Sequence, residues 1–142
     1  MIHAARINRI PKQVVSVKRL TDMPGAEESP AISPDGTKVA FVAAVGDKRQ
    51  IWVGEPITKD DADHLDPRWT PDSKSLIYFA RGAIWEIPAA GGEARRLVDA
   101  LGPGDLSRDE KLAFIRRDGD GVELMVDTRA IVKLTGTKTY SN

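Results

Sequence analysis

A pattern of turn, apolar run, polar gap and second apolar run recurs along this 142-residue chain at a spacing of 37 residues. Ser33-Pro34-Asp35-Gly36 is answered by Thr70-Pro71-Asp72-Ser73 and, in worn form, by Ser107-Arg108-Asp109-Glu110. Behind these turns lie Val39-Ala40-Phe41-Val42, Leu76-Ile77-Tyr78-Phe79 and Leu112-Ala113-Phe114-Ile115. The second runs are Ile51-Trp52-Val53, Ile84-Trp85-Glu86-Ile87 and Leu124-Met125-Val126. Arg96-Leu97-Val98 and Lys133-Leu134-Thr135 close two units, and Arg19-Leu20-Thr21 precedes the first. A fixed period restricts the fold more than composition does, because each unit buries its apolar faces on its neighbours.

The runs are four to seven residues long, rich in β-branched and aromatic residues, and bounded by Gly, Pro and Asp, so they read as strands. In Pro34-Asp35-Gly36 the proline presets φ, the aspartate bonds the local backbone and the glycine accepts a positive φ. Val45-Gly46-Asp47-Lys48 and Asp118-Gly119-Asp120-Gly121 read as hairpin tips. No window keeps a 3.6-residue period, so the chain is predicted all-β. Each unit offers a short first strand near Ile32, Trp69 or Leu106, two long central strands and an outer fourth. Four antiparallel strands about every 40 residues is the arithmetic of a β-propeller blade, with a β-sandwich as the alternative. One domain is expected over 1–142, with blades at about 22–58, 59–98 and 99–135 and an extra outer strand over 14–21.

Ser29-Pro30-Ala31-Ile32-Ser33-Pro34-Asp35-Gly36, Val39-Ala40-Phe41 and Gln50-Ile51-Trp52-Val53 resemble the TolB-type, WD-like propeller repeat. The middle unit carries the fullest copy, from Asp66-Pro67-Arg68-Trp69 to Gly91-Gly92-Glu93-Ala94-Arg95-Arg96-Leu97. The third departs from it, with Arg108 for proline, Glu110 for glycine and one residue fewer before Leu112. The resemblance implies propeller blades, and it leaves function open: such repeats occur in the binding domain of TolB, as free-standing modules, and beside the catalytic domain of prolyl oligopeptidase-like peptidases. Closed propellers of this type usually have six or seven blades, and three are encoded here. An open arc would leave two apolar faces in water, at a cost on the order of 10 kcal/mol or more. A homodimer closing a six-bladed ring is therefore expected, the alternative being an excerpt of a longer propeller.

The remaining chemistry is sparse. Twenty-one basic residues balance 21 acidic ones, so no global field draws the chain to nucleic acid or an anionic membrane. No cysteine is present, and with it no disulfide, thiolate metal site or cysteine nucleophile. No apolar run is long enough to span a bilayer, and residues 1–10 lack the apolar core of an export signal. The chain reads as cytoplasmic as written, or periplasmic if cut from a precursor. There is no G-x-S-x-G, and Ser33 and Ser107 sit in turns, so no catalytic residue is assigned. His3 lies near the terminus. His64 lies in the acidic connector Asp60-Asp61-Ala62-Asp63-His64-Leu65-Asp66, which reads as a solvated loop. That connector and Asp118-Gly119-Asp120-Gly121 lack the glycine and terminal glutamate of a calcium loop, so no metal or cofactor is expected. Trp52, Trp69 and Trp85 are expected in the core, and Arg95, Arg96, Arg116 and Arg117 at outward positions on outer strands. Glu28, Ser29, Asp66, Arg68 and Asp105 flank the first strands, where a channel mouth would lie. They are the candidate contacts for a protein or peptide partner.

Overall fold

The computed structural model describes residues 16–128, and among them every regular element is a strand. The first sheet runs β1 (Glu27–Ile32), β2 (Val39–Val45), β3 (Lys48–Val53), β4 (Glu55–Pro56), each strand antiparallel to the one before. The second repeats the order with β5 (Leu65–Trp69), β6 (Ser75–Ala80), β7 (Ala83–Pro88) and β8 (Arg95–Asp99). The third holds β9 (Asp105–Leu106), β10 (Lys111–Asp118) and β11 (Gly121–Thr128). Its expected fourth strand, at 131–135, lies outside the described residues, as do His3, Val14 and Val15.

The sheets stack in chain order, and alternation along the central strands supplies two apolar faces to each. Ala40, Val42 and Ile51 of the first sheet pack on Leu76, Tyr78, Ala80 and Ile87 of the second. The opposite face of the second sheet, with Ile77 and Ile84, packs on Leu112, Phe114 and Met125 of the third. Trp69 reaches back across the first interface, its Nε1 donating to the Ala31 carbonyl at 2.8 Å. Trp85 also packs on this core, its Nε1 donating to the Ala80 carbonyl at 2.9 Å, whereas Trp52, expected in the core, lies outside both clusters, half-buried and stacked on Phe41 with ring centres 5.9 Å apart.

The extra outer strand expected over 14–21 does not form in its described part. Residues 16–21 join no ladder. The outer edge of the first sheet is already taken, with β4 paired to Trp52 and Val53. Leu20, Thr21, Asp22 and Met23 instead line a cleft of about 570 Å³ with Phe41, Trp52 and Val53. The placing of Arg116 and Arg117 on an outer strand is also corrected, since both sit on β10. Arg116 sits on β10, the middle strand of its described sheet, half-buried, with Nε 2.8 Å from Glu123 Oε2 on β11. Arg95 and Arg96 do lie on the outer strand β8.

The repeated turn closes identically in all three units, including the worn third copy. The hydroxyls of Ser33, Thr70 and Ser107 donate to Asp35, Asp72 and Asp109 at 2.6, 2.7 and 2.6 Å. The carbonyls of the same three residues accept from the backbone N–H of Gly36, Ser73 and Glu110. Those last residues all take left-handed backbone, with φ of 76°, 62° and 66°. Only the first is a glycine. A side chain there costs about 1–2 kcal/mol, offset in part by the entropy glycine loses on folding. Glu110→Gly is thus expected to stabilise the protein by about 0.5–1 kcal/mol, read as a higher urea midpoint.

The same hydrogen bonds tune the turn carboxyls. Asp35 is held down to about 2, from an ordinary 3.8, first by the Ser33 hydroxyl and then by the backbone N–H and hydroxyl of Thr37. Asp72 and Asp109 are lowered first by the hydroxyls of Thr70 and Ser107. A carboxyl depressed by folding contributes stability that is whole above its unfolded value and lost as pH falls through its folded one. The melting temperature is therefore expected to hold above about pH 5 and to drop between about pH 4 and pH 2. Asp35→Asn should make that drop shallower in acid melts followed by circular dichroism.

Candidate functional site

Two places gather polar side chains where sheets meet. The first is the row of first strands β1, β5 and β9, each followed closely by the Ser/Thr-x-Asp turn. A bulge interrupts β1 between Glu28 and Ala31, and another interrupts β5 between Leu65 and Arg68. Inside them Ser29 and Asp66, equivalent residues 37 apart, take left-handed backbone with φ of 54° and 51°. Each is followed by proline, Pro30 or Pro67, which fixes the next φ and helps hold the distortion. The Ser29 Oγ donates to Asp66 Oδ1 across the two sheets at 3.3 Å.

Of the five residues expected at this rim, the structure brings Ser29 and Asp66 into contact. Arg68 and Asp105 follow, exposed, on β5 and β9 at equivalent positions, and Asp105 Oδ1 accepts from the Leu106 N–H at 3.0 Å. Glu28 is drawn aside. Its Oε1 lies 3.2 Å from Arg49 Nη1, and that guanidinium also faces Asp63 at 3.7 Å. The rim thus presents a hydroxyl, a carboxylate, a guanidinium and a second carboxylate along successive first strands.

The second place was missed by the sequence reading. His64 is not in a solvated loop: its side chain is 0% exposed, wedged between the first and second sheets. Its Nδ1 lies 2.9 Å from the Arg49 carbonyl, which also accepts from the His64 backbone N–H at 2.9 Å. Because a carbonyl only accepts, Nδ1 carries a proton. Nε2 lies 2.8 Å from Asp60 Oδ1, in ion-pair reach but out of line for a hydrogen bond. The other Asp60 oxygen is 2.6 Å from Arg81 of the second sheet, whose guanidinium lies over the Trp85 ring at 5.2 Å.

The Tyr78 ring tilts against His64 with centres 5.4 Å apart, and burial, with the Asp60 charge behind it, pushes the Tyr78 hydroxyl up to about 12. Gln50 and Thr58 complete the cluster: Gln50 Nε2 donates to the Asp60 carbonyl at 2.8 Å, and Thr58 Oγ1 donates to Gln50 Oε1 at 2.6 Å. A cleft of about 420 Å³ opens beside it, lined by Thr58, Asp60, Tyr78, Gly91 and Gly92.

A histidine beside a carboxylate has the parts of a general base, but a ring sealed from solvent reaches no substrate. The cluster acts as a polar clip between two sheets. Of the connector's other carboxylates, Asp63 is engaged by Arg49 and Asp61 by Lys48 at 4.0 Å, while Asp66 accepts from Ser29. Among the described residues no three His, Asp or Glu side chains are gathered for a metal ion. Nor is any helix among them long and apolar enough to cross a membrane. The only sequence hint of the clip was the Asp60-to-His64 spacing, and the acidity around it argued the other way.

No protein-family profile matches the chain. Among curated proteins it is 30% identical over 88 residues to the uncharacterized peptidase YuxL of Bacillus subtilis (strain 168), a match covering 49% of this chain and 13% of that protein. Among solved structures it superimposes on a putative TolB from Agrobacterium tumefaciens with a TM-score of 0.62 and 16% identity, over 77% of this chain and 47% of that one. TolB from Acinetobacter baumannii gives a TM-score of 0.60 at 25% identity, over 79% of this chain and 32% of that one. The chain thus spans less than half the length of each of these relatives.

Proposed function

We propose that this chain, TolB-like in fold, is a non-enzymatic propeller scaffold that holds a protein or peptide partner along its row of first strands. A second copy completes a six-bladed ring around it. The observation that carries the binding reading is the pair Ser29 and Asp66, two non-glycine residues in left-handed backbone at equivalent places. Such distortion costs on the order of 1–3 kcal/mol per residue and persists where the surroundings over-determine it, characteristically at binding sites. Here it aims a hydroxyl and a carboxylate at one rim beside the exposed Arg68 and Asp105. Side chains mounted on ladders lose little freedom when a partner docks, so a modest polar contact set suffices.

The test is affinity capture with immobilised wild type and with Arg68→Glu and Asp66→Ala. Proteins held by wild type are expected to be lost from Arg68→Glu and retained less by Asp66→Ala, with both variants still folded. Equal capture by all three removes the rim from consideration.

The identity with YuxL supports a second reading, an accessory propeller of a prolyl oligopeptidase-like peptidase. An α/β-hydrolase segment encoded in the same reading frame decides for it, and with such a segment present the missing blades belong to the same chain.

A further inference from the structure

We infer that the cleft opening between the first and second sheets beside Tyr78 is a further binding site, separate from the rim of first strands, and that it takes a short extended peptide.

The repeat supplies an internal control. Tyr78 pairs across its strands with Trp85, as Phe41 pairs with Trp52 in the first sheet and Phe114 with Met125 in the third. Phe41 is 7% exposed, Tyr78 3% and Phe114 2%. The place therefore needs a buried ring, and in the sister sheets a plain phenyl fills it. The Tyr78 hydroxyl is surplus to packing, and it makes no hydrogen bond among the described residues. A buried polar group left without a partner weakens a fold, so its presence calls for a reason. Unlike the neighbouring His64 Nε2, this oxygen is not sealed off: Tyr78 lines the cleft of about 420 Å³, and its hydroxyl opens there. Both walls come from four-stranded sheets.

The surroundings fix the chemistry of the ligand. Burial keeps the hydroxyl protonated, so it donates to an incoming acceptor, and the partly exposed Asp60 carboxylate in the same wall accepts from an incoming donor. Asp60 is balanced by Arg81, and Glu55 and Lys59 bring one charge of each sign, so no local field selects an ion. A peptide unit answers this arrangement with one carbonyl, one N–H and no net charge. Ile57, Ile87, Ala90 and Ala94 give its side chains an apolar wall. A second cleft, of about 410 Å³, shares Pro56, Thr58, Lys59 and Asp60 with the first. Together they form one elongated depression, which suits an extended chain better than a compact molecule. Each volume lies within the range of about 300–1,000 Å³ usual for ligand sites.

The test uses the whole chain and a phage-displayed library of octapeptides. Selection on wild type is paired with counter-selection on Ala90→Trp, which fills the cleft from an exposed position. Peptides that hold wild type and not Ala90→Trp are expected, and synthetic copies are then measured by fluorescence polarisation. Tyr78→Phe should bind them roughly 5-fold or more weakly. It should also unfold at a urea midpoint no lower than wild type, because a phenyl fills the same place in the sister sheets. Weaker binding by an equally stable protein is a result that a purely structural tyrosine does not give. Equal binding by Tyr78→Phe, or a lowered urea midpoint, shows that the hydroxyl serves something other than a ligand and overturns the inference. A library that yields no peptide distinguishing wild type from Ala90→Trp overturns the cleft as a peptide site.

Discussion

Ile84→Ala is expected to destabilise the protein by about 2–5 kcal/mol, a large share of what holds a domain of this size together. Ile84 is fully buried at the centre of the second interface, packed with Leu112, Phe114 and Met125. Its Cδ1 lies where a side chain on Gly104 would begin: a Cβ built there would stand 2.7 Å from Ile84 Cδ1, 3.0 Å from the Ala113 carbonyl oxygen and 3.0 Å from Leu112 Cδ1. The glycine is thus required by close approach between sheets. Gly104→Ala should cost about 1–3 kcal/mol through overpacking. The two sites share one space and should not be additive. Ile84→Val removes the nearest clash, so in that background Gly104→Ala should cost measurably less than in wild type. Urea denaturation of the four proteins measures the coupling, and strict additivity would show that the two sheets do not meet as described.

His64→Ala should cost about 3 kcal/mol, comparable to truncating a core aromatic. The ring fills space against Tyr78, and its loss opens a cavity between the first two sheets. The backbone is spared, because the Arg49 carbonyl keeps its bond from the His64 N–H. Asp60 also keeps Arg81, so little of the penalty comes from an abandoned charge. His64→Phe should recover much of the loss if packing dominates, and little if the proton on Nδ1 and the Asp60 contact dominate. A fully solvated histidine would give a change within about 0.5 kcal/mol for either substitution, and that result would refute the buried placement.

Strand identity, the hairpins and the three-fold recurrence of the turn were legible in the chain, because each depends on neighbours a few residues away. Proline at 34 and 71, an aspartate that caps its own turn and alternating apolar runs act locally, and even the worn Ser107 turn obeyed them. The failures were of another kind. His64 stood in a run of four aspartates and read as solvated. Its burial depends on Arg49 of β3 in the sheet before it and on Tyr78 and Arg81 in the sheet after it. Residues 16–21 have the composition of a strand, but a strand needs an open edge, and β4 had closed the nearest one. Glu28 lay at the expected rim position and was turned away by a guanidinium 21 residues downstream.

Periodicity alone pointed to strands in repeated antiparallel sheets, since the spacing of apolar residues dictates which backbone can bury them, while the TolB-like plan was legible only as a resemblance of particular residues. Only the stacking of those sheets decided which carboxylates are consumed by cations, which histidine is sealed away, and that Ser29 and Asp66 meet across a 37-residue gap. Those outcomes depend on distances between sheets, a quantity no local pattern encodes.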